Sequence, residues 1–233
     1  MHYHQQIDWG SIGTFVASVT ALFIAIFKEW LESLIFKPGL RIYFENRPVY
    51  GHRTVMDFHV NDSITGKLIG VFSVPVDYFS FLVINEGKKQ AKDCEVVLEE
   101  VSKKNEQGIW IKEEHIPTNL KWVWKDNPQF VSINPGRRIY CNIGHILKLD
   151  SQEREPSHWR FMPSQDKGKP IFMLELMHFF YWQRDCFVPG EYKIKIVVYS
   201  ENAKRQEKTF KIEWTGNWAE KEEAIFREEI KIN

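Results

Sequence analysis

The sequence predicts an all-β antiparallel sandwich carried on an N-terminal transmembrane α-helix. Three observations predict it: an uncharged run over 9–27, a change after Gly39 from helical spacing to short runs rich in Val, Ile, Phe and Tyr, and clusters of Gly, Pro, Asn and Asp between those runs. Composition sets the outer bounds. The 233 residues suit one or two domains, and the 206 beyond Phe27 suffice for one sandwich-sized core. Thirty-one Lys and Arg balance thirty-one Asp and Glu, which argues against a strongly basic nucleic-acid binder and against an acidic solvating tail. With 43% apolar residues, 13 Gly and 10 Pro, neither disorder nor a collagen-like repeat fits. Cys94, Cys141 and Cys186 are too few and too far apart for a disulfide scaffold or a closed zinc site. The mean hydropathy of -0.38 is that of an ordinary soluble protein, but an average conceals one uneven segment.

That segment is Trp9–Phe27, which follows a short tail over 1–8 and contains no charge. Nineteen residues at about 1.5 Å each span roughly 28 Å, close to the thickness of a hydrocarbon core. Its nine Ile, Leu, Val and Phe residues favour insertion by roughly 3 to 5 kcal/mol. Ser11, Thr14, Ser18 and Thr20 are its only polar side chains, and each can bond the carbonyl one turn back. A buried core helix is the competing reading. A cleaved signal peptide fits less well, because residues 1–8 hold no Lys or Arg and no small-x-small site precedes Lys28. Lys28, Lys37, Arg41, Arg47 and Arg53 crowd the C-terminal side, which places the bulk of the chain in the cytoplasm as a single-pass protein of the cell inner membrane. Free cysteines agree with that compartment, and Asn61-Asp-Ser63 is then a chance sequon.

Trp9 and Trp30, with Lys28 and Lys37, stand where interfacial anchors belong. Gly13, Ala17, Ala21 and Ala25 recur every four residues, a small-residue stripe along which two helices could pack into a homo-oligomer. Phe27, Trp30, Leu31, Leu34 and Ile35 continue at helical spacing opposite Lys28, Glu29, Glu32 and Ser33. An amphipathic juxtamembrane helix over 28–37 is therefore expected, ended by Lys37-Pro38-Gly39.

The β-sandwich domain is placed at 40–216. Its expected strands are 40–45, 54–60, 67–74, 78–85, 94–101, 109–114, 130–134, 138–143, 171–177, 192–200 and 208–214. In the tenth, Tyr192, Ile194, Ile196 and Val198 alternate with Lys193, Lys195, Val197 and Tyr199, the period of a strand with one face in the core. Asn134-Pro-Gly136 and Pro189-Gly190 read as turns, not as catalytic loops. Residues 145–170 read as a long connecting excursion. The aromatic run over 171–182 is either a buried strand or an apolar binding patch. Asn217-Trp-Ala-Glu220 offers an N-cap, and a charged C-terminal helix is expected within 217–233.

Val83-Ile-Asn-Glu-Gly87 followed by Ala91-Lys-Asp-Cys-Glu-Val-Val-Leu98 is similar to the "N-x-G... A-x-x-V-x-V" hairpin of immunoglobulin-like and CARDB-like sandwich domains in bacterial proteins. Val188–Tyr199, 200–204 and Phe210–Gly216 resemble the closing strands of small bacterial proteins anchored by a single helix and of uncharacterised function. The resemblance covers about fifty residues and implies an immunoglobulin-like sandwich, with no activity attached to it. The Cys-Trp-Cys core of antibody domains is absent.

No catalytic motif stands out, so no catalytic, cofactor-binding or metal residue is assigned and no cofactor is expected. No two of the eight histidines form an i, i+4 pair around a Glu, and His2 and His4 make a weak metal pair. Glu99-Glu100 and Glu113-Glu114 are adjacent along strands and should point to opposite faces, which disfavours a carboxylate dyad. Two functions fit. One is a membrane-anchored, non-catalytic sandwich that binds a protein partner or senses a signal, with the lipid bilayer and a second copy as further partners and no nucleic acid. The other is an oligomerising, membrane-disrupting effector whose soluble domain controls helix clustering.

Overall fold

A computed structural model describes residues 9–61, 67–123, 128–148, 169–178 and 186–233, except the side chains at 9, 11–12, 29, 31–35, 58–61, 69 and 72. The tail over 1–8, most of the excursion over 145–170, the sequon and the aromatic positions 179–182 lie outside it.

Helix α1 (Trp9–Ile35) is continuous, so the two expected helical segments are one. Thr14, Ser18 and Thr20 donate to the carbonyls of Gly10, Thr14 and Val16 at 2.8–2.9 Å, as their spacing requires. Among the described residues no helix is long and apolar enough to cross a membrane. The described side chains run unbroken only from Gly13 to Lys28, sixteen residues or about 24 Å. The structure supplies the helix, and the membrane span rests on the sequence.

The remainder is two antiparallel sheets packed face to face. The first joins β1 (Leu40–Tyr43), β2 (Gly51–Asn61), β3 (Leu68–Asn85), β8 (Arg138–Lys148), β9 (Pro170–Leu174) and β10 (Cys186–Phe187). The second joins β4 (Ala91–Lys104), β5 (Trp110–Lys112), β6 (Thr118–Asn119), β7 (Val131–Ile133), β11 (Gly190–Tyr199), β12 (Gln206–Trp214) and β13 (Ile230–Ile232). Two expected strands, 67–74 and 78–85, are one strand of 18 residues. Pro75 does not break it, because it lies opposite Val55 where only one neighbour strand is paired.

The core lies between the sheets. Phe79, Phe81, Val83, Cys141 and Ile143 face Val96, Leu98, Ile194, Ile196, Val198, Phe210 and Ile212, all fully buried. The alternation expected in β11 places the right residues inside. In β4 the alternation fails twice: buried positions step from Ala91 to Cys94, and a bulge opposite Lys195 and Ile196 inserts a residue, so they step again from Leu98 to Val101. Glu99 and Glu100 are therefore both outside the core, a correction to their expected opposition. Residues 118–123 stitch the sheets along one edge. The N–H of Leu120 donates to Val96 in the second sheet, while Lys121 and Val123 donate to Glu175 and Tyr140 beside the first, at 2.9–3.0 Å.

The expected C-terminal helix is also corrected. A 3-10 turn (Glu222–Ala224) and one helical turn, α2 (Ile225–Glu228), lead into β13. Backbone groups near Asn217 are taken by tertiary partners: the N–H of Ala219 donates to the Glu229 carboxylate, and the N–H of Thr215 to the Glu229 carbonyl at 2.8 Å. Ile230 and Ile232 are buried against β12, where strand pairing satisfies their backbone.

Candidate membrane-proximal junction

Where α1 meets the sandwich, one buried side chain ties three segments together. Asn85, the last residue of β3, accepts from the N–H of Gly39 and of Gly87 at 3.0 Å through Oδ1. Its Nδ2 donates to the carbonyls of Lys89 at 2.7 Å and Ile133 at 2.8 Å. Both lone pairs and both N–H donors of a neutral amide are thus used, which an aspartate could not do. Around it, the N–H of Glu86 donates to Gly39 at 2.7 Å and that of Lys88 to Lys37 at 3.0 Å. Gly87 is required by contact: a Cβ there would lie 2.2 Å from the Lys37 carbonyl oxygen and 2.3 Å from the Gly39 nitrogen. The linker after α1 is therefore built into the β3–β4 turn.

Two further turns join this end. Gln90 donates to Asn134 at 2.8 Å, which secures the β7–β8 turn, where Gly136 takes φ 72° as its Pro-Gly sequence predicts. Asn202 of the β11–β12 turn donates to the Gln90 carbonyl at 3.0 Å and accepts from the Lys92 N–H at 2.9 Å. One end of the sandwich thus gathers turns from three separate parts of the sequence.

The residues assigned to the helix lie as follows. Gly13, Ala17, Ala21 and Ala25 are exposed along α1, and a Cβ at Gly13 would meet nothing within 4 Å. Lys28, Trp30 and Lys37 are exposed, with Trp30 5.7 Å from the Phe27 ring, while the side chain of Trp9 lies outside the described residues. The large apolar side chains of α1 are uncovered: Phe15 is 70%, Leu22 62% and Phe23 72% exposed.

Two buried polar clusters lie elsewhere, and neither was visible in the sequence. In the first, Glu175 stands 2.8 Å from Lys121 Nζ and 2.6 Å from His145 Nδ1. The His145 contact lacks hydrogen-bond alignment. Burial opposes ionisation of Glu175, but His145 and Lys121 outweigh it and hold the carboxyl below its usual range. Burial raises the neighbouring Tyr78 hydroxyl, with the Glu175 charge adding to it. Cys141, fully buried, has its thiol pushed well up by burial and by the Glu175 charge, which favours the neutral form.

In the second cluster, Arg53 grips Asp77 with two bonds of 2.8 and 2.7 Å and donates to the Ala219 carbonyl at 2.8 Å. Its guanidinium lies 4.4 Å over the Trp218 ring. Glu229 is beside it, with Oε1 3.6 Å from Arg53. Burial, reinforced by Asp77, pushes the Glu229 carboxyl up to about 8 against the opposing Ala219 hydrogen bond and Arg53 charge. This cluster latches the C-terminal segment onto β2 and β3. Among the described residues, no group of three or more His, Cys, Asp or Glu is placed to hold a metal.

Of the aromatic run, Ile171, Phe172, Leu174 and Leu176 are buried, which favours the strand over the exposed patch for that half. No protein-family model matches the chain, and no curated protein matches its sequence.

Proposed function

We propose that this protein is a membrane-anchored, non-catalytic β-sandwich that binds a protein partner or reads a signal at the cytoplasmic face of the inner membrane. The observation that carries the reading is the uncovered apolar surface of α1. Water does not stabilise a helix that exposes Phe15, Leu22, Phe23, Ile24 and Ile26 on several faces, whereas lipid does. The hydroxyls bonded back to the helix carry no unsatisfied donors into that environment. The immunoglobulin-like resemblance suits a binding module. A surface for the partner is offered by the two-stranded arm of β2 and β3 beyond Val76, which leaves Val55, Leu68 and Val71 exposed. Alkaline extraction of membranes from expressing cells tests the anchor. The chain should remain in the pellet, and F23K/I24K should release it; release of the unchanged chain refutes the reading.

The small-residue stripe favours a second reading, an oligomerising effector that disrupts membranes when its helices cluster. A17I/A21I should then reduce association in detergent and in membranes, and leakage of dye from vesicles distinguishes this effector from a passive module.

A further inference from the structure

We infer that the end of the sandwich around the α1 linker binds the headgroups of anionic phospholipids in the leaflet from which the helix emerges. The inference rests on the membrane-anchor reading and names the chemistry of the surface next to it. Lys37, Lys88, Lys89, Lys92, Arg138 and Lys204 are all exposed at this end. They come from the linker and from three turns far apart in sequence, brought together by Asn85, Gln90 and Asn202. Among the described residues none of these six has a carboxylate within ion-pair distance. Elsewhere several bases are matched with carboxylates, Lys104 and Lys211 with Glu191, Lys112 with Glu100, Lys195 with Glu99 and Glu207, Arg53 with Asp77, while Lys103, Lys193 and Lys208 lie over aromatic rings. The acids in the same turns are Glu86, which is occupied by Arg41 at 2.8 Å, Asp93 and Glu201. Among the described residues, six exposed bases without a carboxylate partner thus meet beside the helix linker.

Position decides the occupant. From Phe27 to Ile35 the helix rises about 12 Å, which carries it through the headgroup layer, and the linker is hydrogen-bonded directly to the β3–β4 turn. Six basic side chains then lie within about a Debye length of the lipid surface, where anionic headgroups attract them. A soluble acidic partner would have to displace that surface to reach them.

The full chain, placed in lipid nanodiscs of phosphatidylcholine alone or with one-third phosphatidylserine, tests this by hydrogen exchange. Residues 86–92, 134–138 and 200–205 should exchange about threefold or more slowly in the anionic discs. The difference should vanish at about 0.5 M salt and in K88E/K89E/R138E, whose core strands should exchange as before. Equal exchange in both discs by an incorporated chain overturns the inference and leaves the anchor standing. Failure to enter either disc overturns the anchor and the inference with it. Protection produced by a polyglutamate peptide and not by phosphatidylserine assigns the face to an acidic protein instead.

Discussion

Asn85 and Glu229 show how much single buried polar side chains carry here. Asn85→Ala would leave the N–H groups of Gly39 and Gly87 and the carbonyls of Lys89 and Ile133 without their partner, an expected loss of about 3 kcal/mol in urea unfolding of the full chain in detergent. Glu229 predicts a pH dependence of definite sign. Its folded carboxyl is raised above the ordinary range to about 8, so the folded state holds the proton more tightly than the unfolded chain does. The stabilisation is complete at acid pH and is lost as pH rises through about 8. Glu229→Gln, which keeps the neutral form, should flatten the decline in unfolding midpoint measured from about pH 5.5 to 8.5. Glu175 has the opposite sign: its carboxyl is held low, and its stabilisation is lost as pH falls through that lowered value.

At the scale of elements, the junction between α1 and the sandwich is the tightest fit. Gly87→Ala would drive a Cβ into the backbone of Lys37 and Gly39, which cannot yield as a side chain would. The expected result is amide exchange at Gly39 and Lys88 faster by about tenfold or more, with the interior of β3 unchanged. Spared exchange at the linker would mean that α1 is not held by this turn. The turn was legible as Asn-Glu-Gly between two apolar runs; the reason for its glycine was not, because the clash involves a linker 48 residues earlier. The C-terminal segment shows the reverse. Its capping pattern is a local helix signal, and Arg53, Asp77 and β12 override it with contacts that no local pattern contains.

Across the whole molecule, the two sheets are joined by aromatic residues as well as by the stitched edge. Phe172 of the first sheet stands 6.1 Å from the ring of Trp214 of the second and meets Phe79 and Phe187 within its own. Phe172→Ala should therefore cost about 4 kcal/mol, lowering the unfolding midpoint of both sheets together in one transition. Two separate transitions would show that the sheets are independent units. The same packing separates two ends of different character: a basic end at the helix linker and an apolar two-stranded arm.

The sequence by itself determined the helix from Trp9, its small-residue stripe, the change to strands after Gly39 and the buried face of β11, because each follows from spacing within a dozen residues. It could not determine that Leu68–Asn85 is one strand, that β4 carries a bulge at Glu99, or that the chain ends in a strand, since those outcomes depend on which neighbour supplies hydrogen bonds. Only the tertiary structure brought Asn85 to the linker, Arg53 to Asp77 and the bases of three distant turns to the linker end. These are contacts between residues tens of positions apart, and their energy exists only once the two sheets have closed.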